Sequence, residues 1–363
     1  MKVARLDVSR YRIPLRPPVA DSTHGIIRDF ALIMVVVRTD DGLEGIGYTY
    51  TVGHTGGAAI ASLITDLIPV LVGKDPRRVE SLWQAMWAAT HYVGRGGPAS
   101  FAISAIDIAL WDLKAKRLHE PLWRLLGGNR PKVRAYAGGI DLNLPINELE
   151  EQTYRHLQRG FRAVKMKVGL PRLSDDLERV KAIRELIGSE NALLVDANMK
   201  WTVEEAVRAS RALAEHDVYW LEEPTSPVDV RGHVRIQREG PLPVAAGENL
   251  HTLDEFDALI SAGGVAFPEP DVSNCGGITP WMKVAHLAEA RHLPVTSHGV
   301  HDLHVSLLAA IPNASFLEVH GFGLDPYLTN TLSLSRDGYA EASDRPGHGV
   351  GFRRRELAAH IEK

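Results

Sequence analysis

The sequence predicts an α/β protein, a parallel barrel behind an N-terminal α+β unit, and three observations carry that expectation. From Pro131 onward, eight short apolar runs alternate with mostly amphipathic stretches at roughly 25-residue spacing, the pattern of parallel strands joined by helical crossovers. Before Pro131 the order differs, with strand-like runs first and helical periodicity after them. Ionisable residues also stand at the ends of the last seven runs, where a barrel of this kind carries its chemistry.

In the N-terminal unit, "VARLDVSRYRI" and "ALIMVVVRT" read as strands, separated by the polar "PPVADSTHGIIRD" and followed by the turn "DDGLEGIG". Together they predict a meander. Residues 61–126 are helical in pattern, with apolar positions recurring through "FAISAIDIALWDLKAKRL", and end at the glycine and proline stops of "LLGGNRP". A boundary is therefore expected near Gly128. The eight later runs are "VRAYAGG", "AVKMKVG", "ALLVDAN", "VYWLEEP", "LPVAAGEN", "VAFPEPD", "LPVTSHG" and "SFLEVHG". No glycine-rich dinucleotide fingerprint follows an early strand, so a doubly wound cofactor fold lacks its main support.

The 363 residues, 45% hydrophobic and 24% charged, suffice for a large core without covalent staples. A net charge of -4 supplies no basic field for nucleic acid and no polybasic membrane anchor, which favours a small-molecule partner. The longest apolar run, "FALIMVVV", is bounded by Asp29 and Arg38, far short of the roughly 20 residues that span a bilayer. The N-terminus lacks a signal-peptide pattern. Cys275 is the only cysteine, which excludes an internal disulfide framework and a cysteine-built zinc site. A cytoplasmic protein is expected.

Lys165 and Lys167 alternate on one run and so share a strand face, roughly 7 Å apart. Two ammonium groups at that distance repel by about 2.4 kcal/mol at an effective dielectric near 20, which lowers a lysine pKa by nearly two units. The next strand ends bring Asp196, Glu222 and Glu248, each separated by 26 residues, then Asp271, His298 and Glu318. Three acids converging on one mouth repel unless a cation sits among them. An all-oxygen set selects a hard ion such as magnesium over zinc. Only one of the neighbours Glu222 and Glu223 can face inward on a strand, and Asn198 shares the parity of Asp196 and is placed to support it by a hydrogen bond.

The ordered set K-x-K, "VDAN", "LEEP", "GEN", "PD", "SH" and "LE", with "SAIDIALWDLKAK" upstream, resembles the mandelate racemase group of the enolase superfamily over essentially the whole chain. The resemblance implies a modified TIM barrel, (β/α)7β, at 129–325, an α+β capping domain at 1–128, and a C-terminal segment, 326–363, returning to the cap. It implies that Asp196, Glu222 and Glu248 bind Mg2+. Lys167 becomes one acid/base, His298 with Asp271 the other, Glu318 the hydrogen-bond partner of an enolate oxygen, and Lys165 the supporting lysine. A homo-oligomer is expected.

The implied activity is removal of the proton α to a carboxylate. Dehydration of an acid sugar (an aldonate or aldarate) to a 2-keto-3-deoxy acid is the leading expectation, with His298 delivering a proton to the departing 3-hydroxyl. The alternatives are cycloisomerisation of a sugar-acid lactone or anhydro sugar acid, racemisation or epimerisation of a 2-hydroxy acid, and a catalytically silent binding protein. Polar side chains on two loops, Asp21, Ser22, Thr23, His24 and Arg28, then Tyr48, Tyr50 and His54, with Arg95 in "VGRGG", suit a polyhydroxylated substrate better than an aryl one. His24, Arg28, Tyr50, His54, Arg95, Asn198 and His301 are the candidate substrate contacts. Mandelate racemase carries a serine at the end of its first barrel strand, whereas "AYAGG" offers Ala137, Gly138 and Gly139, so mandelate is not the expected substrate. A metal cluster of His298, His301 and His304 is set aside because His298 belongs to a strand end rather than the helix. Cys275, in the loop "NCGGIT", is not expected to be a nucleophile.

Overall fold

The computed structural model describes residues 1–320, 322 and 324–362. The N-terminal runs form an antiparallel meander of β1 (Val3–Asp21), β2 (Gly25–Thr39) and β3 (Glu44–Tyr50), in that spatial order. The polar stretch expected between strands is itself paired. Val19 lies opposite Ile27 and Asp21 opposite Gly25, so the hairpin continues as a ribbon beyond a register irregularity between Pro14 and Val19. Backbone pairing does not require apolar side chains where the ribbon is tied down elsewhere, and Leu142 N donates to Ala20 O at 3.0 Å.

Helices α1 (Gly57–Leu71) and α3 (Pro98–Arg117) cover the meander, and α2 (Val79–Ala89) packs against both. The first buries Ile60, Ile64, Leu67 and Leu71 against the inward residues of β2, among them Ile33, Val35 and Val37, the four-residue rhythm of an amphipathic helix. Gly47 on β3 makes the α3 contact possible: a Cβ there would meet Ala105 O and lie 2.6 Å from Ala109 N, both backbone atoms. A short helix, α4 (Leu122–Leu125), leads to the second sheet.

That sheet runs through β4 (Lys132–Gly138), β5 (Ala163–Lys167), β6 (Ala192–Asp196), β7 (Val218–Glu222), β8 (Val244–Ala246) and β9 (Phe267–Pro268), each parallel to the next. Helices α5 (Ile146–Gln158), α6 (Leu173–Ile187), α7 (Val203–Ala214), α8 (Val230–Glu239) and α9 (Leu253–Ser261) alternate with them, then α10 (Ile278–Ala290) and α11 (His301–Leu308) follow. The last parallel strand, β10 (Phe316–His320), pairs back onto β4. The expected seventh strand, "LPVTSHG", is reduced to a bridge between Val295 and Ala314. Its backbone still joins both neighbours: Thr296 N donates to Pro268 O at 3.1 Å and Ser315 N to Val295 O at 2.7 Å.

One element is absent from the expectation. The hairpin of β11 (Ser333–Leu334) and β12 (Tyr339–Glu341) adds antiparallel to β4, making the sheet mixed. These strands are two and three residues long, too short for a periodic signal. The chain then passes α12 (Arg354–Leu357) and ends against β1, where Glu362 N donates to Arg10 O. Tyr136, Ala163, Leu194, Trp220, Ala245 and Phe316, one residue from each of six parallel strands, meet in a single apolar cluster with Phe267 of β9 packed against it. The parallel strands therefore face a common interior. Among the described residues no helix is long and apolar enough to cross a membrane.

Candidate active site

Register alone sets three charged residues side by side. Lys167 of β5 pairs with Asp196 of β6, which pairs with Glu222 of β7. Ligand oxygens of Asp196, Glu222 and Glu248 lie within 4.8 Å of one another. Of the adjacent acids, Glu222 faces Lys165 and takes the Trp220 indole N–H at 3.0 Å. Glu223, turned by a φ of 40°, is held by the Asn249 amide at 2.8 Å. Asn198 departs from its expected role. Its backbone N–H, not its side chain, donates to Asp196 Oδ1 at 2.8 Å, and its own Oδ1 makes no hydrogen bond. A left-handed φ of 42° carries it off the strand parity on which the expectation rested.

The electrostatics of the lysine pair run against the sequence argument. Burial opposes the charge on Lys165, but Glu222 and Glu318 outweigh it and hold its pKa well above the usual lysine range. Lys165 Nζ stands 2.7 Å from Glu318 and 3.5 Å from Asp196. Burial also opposes the charge on Lys167, and its partner Asp196 outweighs both that and the repulsion of Lys165. Like-charge repulsion is present but is the smaller effect, because alternate strand residues here face carboxylates at closer range than each other.

Across the mouth, His298 Nδ1 lies 3.0 Å from Asp271 Oδ2 and its Nε2 lies 3.3 Å from Glu248. Asp271 is fixed through its other oxygen by the Ser273 N–H and hydroxyl, both at 2.7 Å. Tyr50, reaching in from β3, donates to Asp271 Oδ2 at 3.0 Å. Burial opposes a charge on His298, yet Glu248 and Asp271 push its pKa up to about 10. Glu318 accepts from the Gly299 backbone N–H at 3.0 Å. Gly138, the last residue of β4, has no room for a side chain, since its Cβ would fall on the Glu318 carboxyl group.

The remaining candidates separate by position. A cavity of about 360 Å³ is lined by His24, Tyr50, Glu248, Asp271 and His298. Arg28 is exposed, His54 contacts Asp29 at 3.3 Å, and Arg95 stacks on Trp87 with its guanidinium carbon 5.2 Å from the ring. None of these three lines the cavity, because polarity on a loop does not reveal which way it faces. His301 borders a small adjoining recess with His320 and Tyr50. It also sits near Asp302 and Asp325, but its Nδ1 accepts from the His320 backbone N–H at 3.3 Å. A neutral ring therefore carries its proton on Nε2, the nitrogen a metal there would need. His304 accepts from Val272 N and donates to Gly299 O, a structural role. A larger crevice, about 510 Å³, lies beside Arg16, His156 and Tyr327 and gathers none of the strand-end acids, so size does not locate the chemistry. Burial holds the Cys275 thiol protonated.

Several polar residues of the site lie outside the sequence expectation, among them Ser273 and Asn274 on the cavity wall. His251 and Asn249 line the cavity. Glu269 is fully buried, neither carboxyl oxygen has a hydrogen-bond partner among the described residues, and burial together with Glu222 raises its pKa well above the carboxylate range. Its alternation with Asp271 in "PEPD" was the available signal. The acid trio fits a divalent metal on its own evidence. Its donors are all oxygen and lie within 4.8 Å of one another.

Residues 4–127 match the family "Mandelate racemase / muconate lactonizing enzyme, N-terminal domain", and residues 148–356 match "Enolase C-terminal domain-like". The chain is 54% identical over 349 residues to a 3,6-anhydro-alpha-L-galactonate cycloisomerase of Streptomyces coelicolor, covering 96% of each. It superimposes with a TM-score of 0.97, at 51% identity, on a racemase from Streptomyces coelicolor A3(2) with bound magnesium, covering 99% of this chain and all of that one. An L-talarate dehydratase from Polaromonas sp. JS666, complexed with Mg and L-glucarate, superimposes with a TM-score of 0.94 at 32% identity, covering 100% and 98%.

Proposed function

The chain belongs to the mandelate racemase/muconate lactonizing enzyme family of the enolase superfamily, and from that premise we propose a magnesium-dependent enzyme that removes the α-proton of a sugar acid and expels the oxygen on the neighbouring carbon. The preferred reading is a cycloisomerase opening a 3,6-anhydro sugar acid, supported by the 54% identity to the Streptomyces enzyme. Dehydration of an open-chain acid sugar is the second reading, supported by the talarate dehydratase fold match. The two differ little chemically. In both, C2 loses a proton and the C3–O bond breaks. In the anhydro acid the departing oxygen stays tethered through C6, so the mass is unchanged.

The observation that carries the reaction class is the arrangement of Lys167 on one side of the acid trio and His298 with Asp271 on the other. Asp196, Glu222 and Glu248 hold the metal in this reading. When bound, magnesium would supply positive charge that acidifies the α-proton of a nearby carboxylate. Lys167 and His298 then serve opposite faces of C2. Lys165 is placed to support charge developing on the substrate carboxylate, whereas Glu318, which Lys165 keeps ionised at 2.7 Å, has no proton to offer an enolate oxygen and instead holds Lys165 in place.

The strands fit a (β/α)7β barrel with the "LPVTSHG" segment as its seventh stave, supported by its hydrogen bonds to both neighbours. We retain the division into a cap at 1–128, a barrel at 129–325 and a returning segment at 326–363. The single buried thiol supports a cytoplasmic location. Incubation with magnesium and either 3,6-anhydro-L-galactonate or a panel of aldonates and aldarates tests the reaction. A semicarbazide-reactive 2-keto acid of unchanged mass is expected, whereas a mass lower by one water selects the dehydratase. Absence of keto product from every acid overturns both.

A further inference from the structure

Besides His298 and Asp271, the cavity holds a second histidine braced by an aspartate, and it comes from the other side of the fold. His24 sits at the tip of the β1–β2 ribbon. Its Nδ1 lies 2.8 Å from Asp21 Oδ2, while Asp21 Oδ1 takes the backbone N–H groups of Thr23 at 2.9 Å and His24 at 2.6 Å. Asp21 is buried, so a single carboxylate sets both the turn and the ring. The tip is latched onto the barrel at the residues just after Asp196. Ser22 Oγ donates to Ala197 O at 2.6 Å and Thr23 Oγ1 donates to Asn198 O. His24 Nε2 has no protein partner among the described residues, and the ring lines the same cavity as Glu248 and His298.

We propose that His24, oriented by Asp21, is the acid that protonates the oxygen leaving C3 of the substrate. The assignment rests on the reaction proposed above and deepens it. His298, the donor expected from the sequence, is held at Nδ1 by Asp271 and already serves one face of C2 in the reading above. The leaving oxygen belongs to the adjacent carbon and needs a donor approaching from elsewhere. His24 presents a free N–H, and the Asp21 hydrogen bond favours its charged form against the opposing effect of burial. The groups acting on its charge are Asp21 and Glu248, which favour it, and Lys167, which opposes it.

The step balances without a co-reactant. The Nε2 proton moves to the departing oxygen, the C3–O bonding pair goes to that oxygen, and the electrons released at C2 form the C2–C3 double bond. His24 is left neutral and regains a proton from solvent through its exposed edge. Protonation of the resulting enol at C3, with loss of the proton on O2 to solvent, gives the 2-keto-3-deoxy acid.

His24→Gln with magnesium in deuterated water separates this role from substrate binding. Formation of keto acid should fall on the order of 100-fold or more, while deuterium continues to enter C2 of recovered substrate at close to the wild-type rate. A 3-deoxy-3-fluoro acid, whose fluoride departs without needing a proton, should be eliminated by the variant nearly as fast as by wild type. Asp21→Asn should show the same pattern less severely. Equal losses of exchange and elimination, unchanged keto-acid formation, or fluoride release that falls as far as the oxygen elimination would each overturn the assignment. A folded wild-type protein that exchanges no α-proton in any sugar acid would overturn the reaction itself, and His24's role with it. Thermal unfolding of both variants with magnesium verifies that the fold is intact.

Discussion

The residues at the strand ends act as charges in a low-dielectric space, and their substitutions should be read in those terms. Replacing Glu248 by Gln keeps the shape and removes one of three negative charges facing the metal position. Magnesium affinity, read by titration calorimetry, should fall further than the roughly 10–100-fold typical of altering a ligand's supporting partner, with activity partly restored at high magnesium. Turnover that is undiminished without divalent ions would contradict the metal assignment. Lys167 and His298 make a second test, because they stand on opposite sides of the acid trio. Lys167→Ala should abolish α-proton exchange of one C2 epimer and His298→Asn that of the other, and equal loss of both epimers in each folded variant would rule out separate faces. These residues were legible because strand-end position and 26-residue spacing are properties of sequence. The lysine protonation was not legible. It depends on carboxylates brought to Lys165 and Lys167 from β6, β7 and β10.

At the scale of elements, long periodic segments read correctly and short or solvated ones did not. The meander declared itself by its apolar runs and helix α3, which is buried on nearly every side, by a long apolar stretch, whereas β11 and β12 contain too few residues to show a period. The β1–β2 ribbon is a different failure. Its polar sequence reads as loop, yet paired backbone and the Ser22 and Thr23 latches make it the rigid arm that carries His24. The contact between β3 and α3 is set by small residues rather than by apolar ones. Gly47→Ala would press a methyl group onto the backbone of Ala105 and Ala109, which cannot yield as a side-chain end can. Overpacking of this kind costs about 1–3 kcal/mol. A lowered urea midpoint at unchanged slope is expected, and equal midpoints for variant and wild type would show that α3 slides without cost.

The cap and the parallel sheet are joined by a buried polar seam, and that seam couples the stability of the whole molecule to pH. Asp107, on α3, accepts from Thr279 N at 2.9 Å and Thr279 Oγ1 at 2.7 Å at the start of α10. Trp83 and Ser104 bond the loop just before it, at Gly276. Asp107 is fully buried, and burial outweighs these hydrogen bonds, pushing its pKa from 3.8 up to about 7. Between those values the folded chain keeps a proton that the unfolded chain has lost. Its contribution to stability is therefore complete below about pH 4 and is lost as pH rises to 7. The gap corresponds to about 4 kcal/mol at most, of which about 2–3 kcal/mol falls above pH 5. Asp107→Asn cannot titrate, so the unfolding free energy of wild type minus that of the variant should decrease by this amount between pH 5 and pH 8. Taking the difference cancels the other buried acids, including Glu222, Glu223 and Glu269, whose pKa values are also raised. A difference that stays constant across that range would mean that Asp107 is ionised in the folded protein, and that the Thr279 hydrogen bonds at the seam outweigh its burial.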